Sequence, residues 1–232
     1  MSADITLRKG LTIPMSGIAD LNISSADSAD NYVVYPSDFH GVVPKMLLKE
    51  GETVLQGQPI FYSKANPEIK FVSPVSGTLT KIERGAKRRI MALSITSDGE
   101  HKAVVHKLAN LDELCAADLR KHLLESGCWS FIKQRPYDVI ADPSSTPKAI
   151  FISGFNTAPL AADVPFLLSP QKEDFQNGIN ALAKLAPKVH LSVDASSASF
   201  LTEVSNAELH RIKGQHPAGN VGVQVHHIDP VN

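Results

Sequence analysis

The sequence predicts a protein of mixed α+β class in three stretches: an all-β part over residues 1–105, a helical linker over 106–147, and an α/β part over 148–232. Three observations predict it. The first part is cut into short segments by turn residues, among them Pro14, Gly17, Pro36, Gly41, Gly51, Gly57, Pro74, Gly77 and Gly85, and none of it keeps apolar residues at helical spacing beyond a turn. The later part alternates apolar stripes of helical period with short apolar runs, the pattern of parallel strands joined by crossover helices. The composition, 43% hydrophobic and 20% charged, is that of an ordinary globular chain with a core to bury.

In the β part, Gly41-Val42-Val43, Ile60-Phe61-Tyr62 and Met91-Ala92-Leu93-Ser94-Ile95 are predicted strands, and period-2 alternation puts Met91, Leu93 and Ile95 on one face. Gly41-Val42-Val43-Pro44-Lys45, followed by Gly51, is echoed by Gly77-Thr78-Leu79-Thr80-Lys81, followed by Gly85. Each copy is a turn glycine, a short strand ending in lysine, and a second glycine turn. Two such halves can pair face to face, each covering the apolar side of the other. In this repeat, and in the runs 49–54, 57–60 and 73–77, the segment resembles the barrel-sandwich domains that carry biotin or lipoate. In those domains the modified lysine stands at an exposed hairpin tip, in biotinyl domains commonly between methionines. Lys64 is the only lysine near the corresponding tip, 63–68; no methionine flanks it, and Asn66-Pro67 stiffens the turn. A solvated surface lysine is therefore expected, with a modified Lys64 as the alternative.

In the linker, residues 111–126 are predicted to form a helix. Asn110 can cap it, Glu113 sits at the capping-box position, and Leu111, Leu114, Cys115, Leu119 and Leu123 make one apolar stripe. Gly127 supplies a left-handed stop. Cys115 then reads as a small core residue. Cys128 follows beside Trp129, and the proline- and serine-rich stretch 137–147 leads into a Rossmann-like α/β part. There, 148–152 and 189–193 are predicted strands, and Ser169-Pro170 opens a helix running to Ala186.

Several function classes drop out. Lys+Arg number 23 against 24 Asp+Glu, a net charge of -1, so nothing draws the chain to nucleic acid or to an anionic membrane. Uninterrupted apolar runs reach about four residues, against the roughly 20 of a membrane span. The amino-terminal residues lack an apolar stretch of signal-peptide length, which predicts a cytoplasmic location. Two cysteines in no C-x-x-C spacing fit a reducing compartment. Nucleotide-loop, dinucleotide, nucleophile-elbow and zincin motifs are absent from the sequence, and no residue takes a catalytic role.

Two loops are candidate binding elements. Gly154, Asn156 and Thr157 follow the first α/β strand, at the end where open parallel sheets bind ligands. One glycine with Pro159 makes a poor phosphate cradle, so a strand-to-helix turn competes with a binding loop. His216-Pro217-Ala218-Gly219 is a tight turn that carries an imidazole; it either joins two elements or contacts a ligand or partner. No metal site is expected among His210, His216, His226 and His227. No two of them have helical i, i+4 spacing, and His226 and His227 would point to opposite faces of a strand.

A family resemblance joins these pieces. Arg8-Lys9-Gly10-Leu11-Thr12-Ile13-Pro14, Asn66-Pro67, Lys70-Phe71, Ser73-Pro74-Val75-Ser76-Gly77 and Arg84-Gly85-Ala86-Lys87-Arg88 stand in the first part. Glu125-Ser126-Gly127, Trp129, Arg135-Pro136, Ala149-Ile150-Phe151, Asn156-Thr157, Pro159-Leu160-Ala161-Ala162 and His216-Pro217-Ala218-Gly219 follow. In these blocks, taken in order, the chain resembles the NqrA subunits of the sodium-translocating NADH:quinone oxidoreductases (Nqr). More distantly it is similar to the NADH-binding flavin subunit of respiratory complex I and to the C subunit of Rnf complexes. Family chains run on past residue 232, which implies a truncation that omits, among other parts, a small β-grasp-like domain. The glycine-rich flavin loop of the complex I relative is absent here.

The resemblance implies a peripheral subunit on the cytoplasmic face of a bacterial inner membrane. The complex would pass electrons from NADH to ubiquinone and export sodium ions. NADH, flavin and iron–sulfur chemistry would reside in the other subunits, with no cofactor on this chain. Its own role would be docking, with ubiquinone as a further contact. Two alternatives stand beside this: a protein that binds quinone or nucleotide by itself, and a carrier domain modified at Lys64.

Overall fold

The computed structural model describes residues 3–107 and 110–231. Chain order runs β1 (Ala3–Thr6), β2 (Asn31–Val34), β3 (Pro44–Met46), β4 (Thr53–Val54), β5 (Pro59–Ser63), β6 (Lys70–Val72), β7 (Gly77–Arg84) and β8 (Ile90–Ser97). Next come α1 (Ala116–Glu125), β9 (Lys133–Gln134), β10 (Val139–Ile140), β11 (Ile150–Ser153), α2 (Val164–Leu168) and α3 (Lys172–Leu185). Then follow β12 (Val189–Asp194), β13 (Glu208–Lys213) and α4 (Val221–Ile228). The chain divides into two units, Ala26–Ser145 and a discontinuous one that joins the residues up to Ser25 with those from Thr146 on.

The β unit has the barrel-sandwich architecture. One antiparallel sheet runs β2-β8-β7-β4 and the other β3-β5-β6. The two copies of the internal repeat lie one in each sheet, in β3 and in β7. Ile60, Phe61, Leu79, Leu93 and Ile95 are fully buried. Phe61 and Phe71 stack with ring centroids 4.5 Å apart, and Phe39 meets Phe71 edge-on at 4.4 Å. Two expected strands are altered. Val42 and Val43 lie outside β3, because Gly41, at φ +77°, still belongs to the turn before it. In β8 an irregular register opposite Glu83 and Arg84 breaks the alternation, so Ala92 is buried with Leu93 and Ile95 while Met91 is 45% exposed. Lys64 is exposed. Its turn is closed by Ser63 N–H on Ile69 O (3.0 Å), Ile69 N–H on Asn66 O (3.1 Å) and Glu68 N–H on Asn66 Oδ1 (3.1 Å).

Residues 110–145, expected in a separate linker, group with this unit. The helix there is shorter than the stripe predicts. Residues 111–113 form a 3-10 turn capped by Asn110, Leu114 is extended, and Cys115 becomes the cap of α1. Its Sγ accepts from Asp118 N–H at 3.5 Å and donates to the Asp118 carboxylate at 3.0 Å. Cys115 is therefore exposed and not a core residue, because the chain turns helical only after it. Gly127 ends the helix at φ +78°, as expected, and a Cβ there would meet Val72 Cγ1 at 2.7 Å. Trp129 is buried and donates its indole N–H to Ala141 O at 2.8 Å.

The α/β unit is built on a parallel sheet of order β1-β13-β12-β11. Leu191, Val193 and Leu201 pack on one side with Phe175 of α3; Ile212, Phe155 and Ala218 pack on the other with Ile228 of α4. Apolar layers on both faces are what parallel strands require. Residues 3–25 join this unit because β1 adds to β13 in parallel register, Ile5 beside Ile212, and because Ile5 and Leu7 pack on that second cluster. Residues 221–228 form α4, so His226 and His227 lie on a helix and not on a strand. Among the described residues, no helix is long and apolar enough to cross a membrane.

Candidate functional site

The carboxyl edge of the parallel sheet gathers the residues that the sequence marks. β11 ends at Ser153, and Gly154 follows as the strand leaves the sheet, its N–H donating to Ser192 O at 2.7 Å. Asn156 Oδ1 then accepts from Ala158 N–H at 2.8 Å, an Asx turn that presents Thr157. The loop after β13 meets it. Thr157 Oγ1 accepts from Gly219 N–H at 2.9 Å and lies 3.2 Å from His216 Nδ1. Ser153 Oγ donates to Gly219 O at 3.0 Å, and the buried Gln224 side chain of α4 donates to Ser153 Oγ at 2.8 Å and to Ala218 O at 3.1 Å. Gly219 is there because nothing larger fits: a Cβ would stand 2.5 Å from Thr157 N.

So Gly154, Asn156, Thr157, His216 and Gly219 come together, and Pro217 shapes the turn between two of them. Thr157 and His216 form a hydroxyl–imidazole pair, the first two members of a nucleophile–base arrangement. Among the described residues no acidic side chain forms an ion pair with His216, so nothing there orients it as a base. What the arrangement does is lock two loops together through side-chain-to-backbone bonds.

Beside the loops lies a cleft of about 650 Å³, within the range of ligand sites, bordered by Arg8, Gly10, Asp194, Ser196, Lys213 and Gln215. It occupies the carboxyl ends of β1, β12 and β13. Sequence reasoning missed it, since β13 was not predicted and β1 was assigned to the β part. The available signal was Gly10, which abuts the 214–216 turn: Leu11 N–H donates to His216 O at 2.9 Å. Asp194 is occupied by the N–H and hydroxyl of Ser196, at 2.8 and 2.5 Å.

A second polar cluster sits at the other end of the strands. His190 and His210 are 3% and 1% exposed, with His190 Nδ1 2.9 Å from His210 Nε2 and 3.6 Å from Glu208 Oε2. Burial pushes both imidazoles below their usual range; for His190 the Glu208 carboxylate opposes this, and for His210 the neighbouring His190 adds to it. The expectation of no metal site weighs His210, His216, His226 and His227 with the nearby acids Glu208 and Asp229, and leaves out His190. The structure sets His210 beside His190 and Glu208, with one nitrogen or oxygen of each within 4.8 Å of the others. The readable signal was a histidine amid Val189, Leu191 and Val193 in a buried strand.

Comparison with known proteins also finds a β domain and an α/β domain, with bounds that differ from those of the two structural units. Residues 5–98 match the model of the NqrA N-terminal barrel-sandwich hybrid domain, and residues 114–232 match that of the NqrA second alpha/beta domain. The chain is 35% identical over 230 residues to the NqrA polypeptide of the Na(+)-translocating NADH-quinone reductase of Actinobacillus succinogenes, covering 98% of this chain and 52% of that protein. The corresponding polypeptide of Haemophilus influenzae is 35% identical over 231 residues, with 98% and 52% covered, and that of Mannheimia succiniciproducens 36% over 229, with 98% and 51% covered. The chain thus spans about half the length of the curated relatives it matches.

Proposed function

This chain belongs to the NqrA family, and from that premise we propose that it works as a peripheral subunit, on the cytoplasmic face of a bacterial inner membrane, of a Na+-translocating NADH-quinone reductase. Its role is to dock against the other subunits and to contact ubiquinone, while those subunits hold the NADH, flavin and iron–sulfur chemistry.

The docking role rests on the segment after β1. Leu11, Ile13, Met15, Ile18, Leu21 and Ile23 are each more than half exposed. Exposed apolar side chains gathered in one short segment mark a surface that another protein covers. The balanced charge favours a protein anchor over lipid headgroups. The ubiquinone contact is assigned to the carboxyl-edge cleft, which has room for a ring and polar groups to orient it.

The test is made in the native host. The triple variant Ile13→Ser, Ile18→Ser, Leu21→Ser should keep its circular dichroism and lose co-purification with the membrane subunits; undiminished co-purification refutes the docking role. Titration with a short-chain quinone should saturate, and titration with NADH should not. Saturable NADH binding would move the assignment to an autonomous nucleotide-binding protein. Peptide mass spectrometry of host-derived protein should find Lys64 at its unmodified mass; an added group on it would move the assignment to a carrier domain.

A further inference from the structure

Docking and quinone contact leave the buried histidines unexplained. We propose that His190, His210 and Glu208 form a site for one divalent metal ion of the zinc class, held through Nδ1, Nε2 and Oε2. The three residues come from neighbouring parallel strands whose register sets His190 beside Glu208 and Ser192 beside His210, so all three project from the same face of the sheet. Strands hold ligands more firmly than loops do.

The distances suit a shared ion. Nitrogens about 2.0–2.1 Å from one metal, at angles between a right angle and the tetrahedral value, lie roughly 2.9–3.4 Å apart. The two ring nitrogens, 2.9 Å apart, fall in this range, and Glu208 Oε2, 3.6 Å from His190 Nδ1, reaches it with a small rotation of its side chain. Two histidines and a carboxylate are an established zinc set with a coordination position left for water. Glu208, with its side chain 33% exposed, gives ion and water a route from solvent.

Energetics point the same way. Without an ion, the two facing nitrogens, His190 Nδ1 and His210 Nε2, share a single hydrogen bond of 2.9 Å, whereas an ion between them bonds both. One hydrogen bond is a poor return for burying two imidazoles, whereas metal–nitrogen bonds offset that cost. Burial also keeps both rings neutral, the form that binds metal. The Phe151 ring, stacked on His190 at 4.7 Å, walls the site on the β11 side.

The experiment uses the untagged 232-residue chain, stripped with chelator and titrated with Co2+. One Co2+ per chain should bind, with the strong visible absorption of a four- or five-coordinate ion, and Zn2+ should displace it. Glu208→Gln, at a partly exposed position that leaves the core intact, should weaken Co2+ binding by at least about 10-fold. The pair His226→Ala, His227→Ala should leave the absorption unchanged. The proposal is overturned if Co2+ keeps its weak six-coordinate spectrum, if Glu208→Gln binds as tightly as the parent, or if the α4 histidine pair abolishes the signal.

Discussion

Gly219→Ala is the sharpest test of the locked loops. The new Cβ would stand 2.5 Å from Thr157 N and 2.9 and 3.0 Å from Asn156 Cα and C. All three are backbone atoms, so no side chain can swing aside, and the two loops must part by the better part of an ångström. Overpacking of this kind costs about 1–3 kcal/mol. The shift also stretches two hydrogen bonds, Gly219 N–H to Thr157 Oγ1 at 2.9 Å and Ser153 Oγ to Gly219 O at 3.0 Å, each worth roughly 1 kcal/mol. The expected loss is about 2–4 kcal/mol of stability in the α/β unit, read by urea denaturation with a probe in that unit. At roughly 2–4 °C per kcal/mol, the thermal midpoint falls by about 5–15 °C. A change within about 0.5 kcal/mol, the size of an ordinary surface substitution, would refute the close approach of the two loops.

Gly178→Ala has the opposite sign: Gly178 lies inside α3, a Cβ there meets nothing within 4 Å, and denaturation should show a gain of about 0.5–1 kcal/mol. Trp129→Phe removes the indole donor to Ala141 O and leaves a buried gap, so the β unit should lose about 1–3 kcal/mol in the same assay, and no loss would contradict that bond. Acid should weaken the metal-free α/β unit through its buried histidines. Burial lowers both folded-state pKa values, so below the unfolded value of about 6.5 the unfolded chain binds more protons and stability declines with falling pH. The urea midpoint should be level above neutrality and fall between about pH 6.5 and 5; a rise over that interval would show the pair gaining protons on folding.

The repeat beginning at Gly41 and Gly77 made the β unit legible, because a sandwich needs the same turn–strand–turn twice. The locations of β11, β12 and α3 were legible from apolar period and from the helix-opening proline. β13 was hidden because Glu208, His210 and Arg211 interrupt its apolar pattern, although Leu209 and Ile212 point to opposite faces of a buried strand. β1 was hidden for a different reason: no local pattern says that residues 3–6 pair with 210–213 rather than with their neighbours in sequence. Both loops of the candidate site were marked by residue type alone. Their contact was not legible, since it depends on the sheet that β13 completes. His190 was passed over because spacing rules search along one element, and this cluster forms between two.

The pairing of β1 with β13 also sets an order of events during synthesis. Residues 3–6 meet their sheet neighbour about 200 residues later, after the whole of Ala26–Ser145 has emerged from the ribosome. That intervening unit keeps its pairings within its own sequence and can close while the earlier strand waits. Until residues 208–213 are made, β1 has no sheet to join. The nascent chain is then at its stickiest, and a chaperone or an assembling partner has the most to shield.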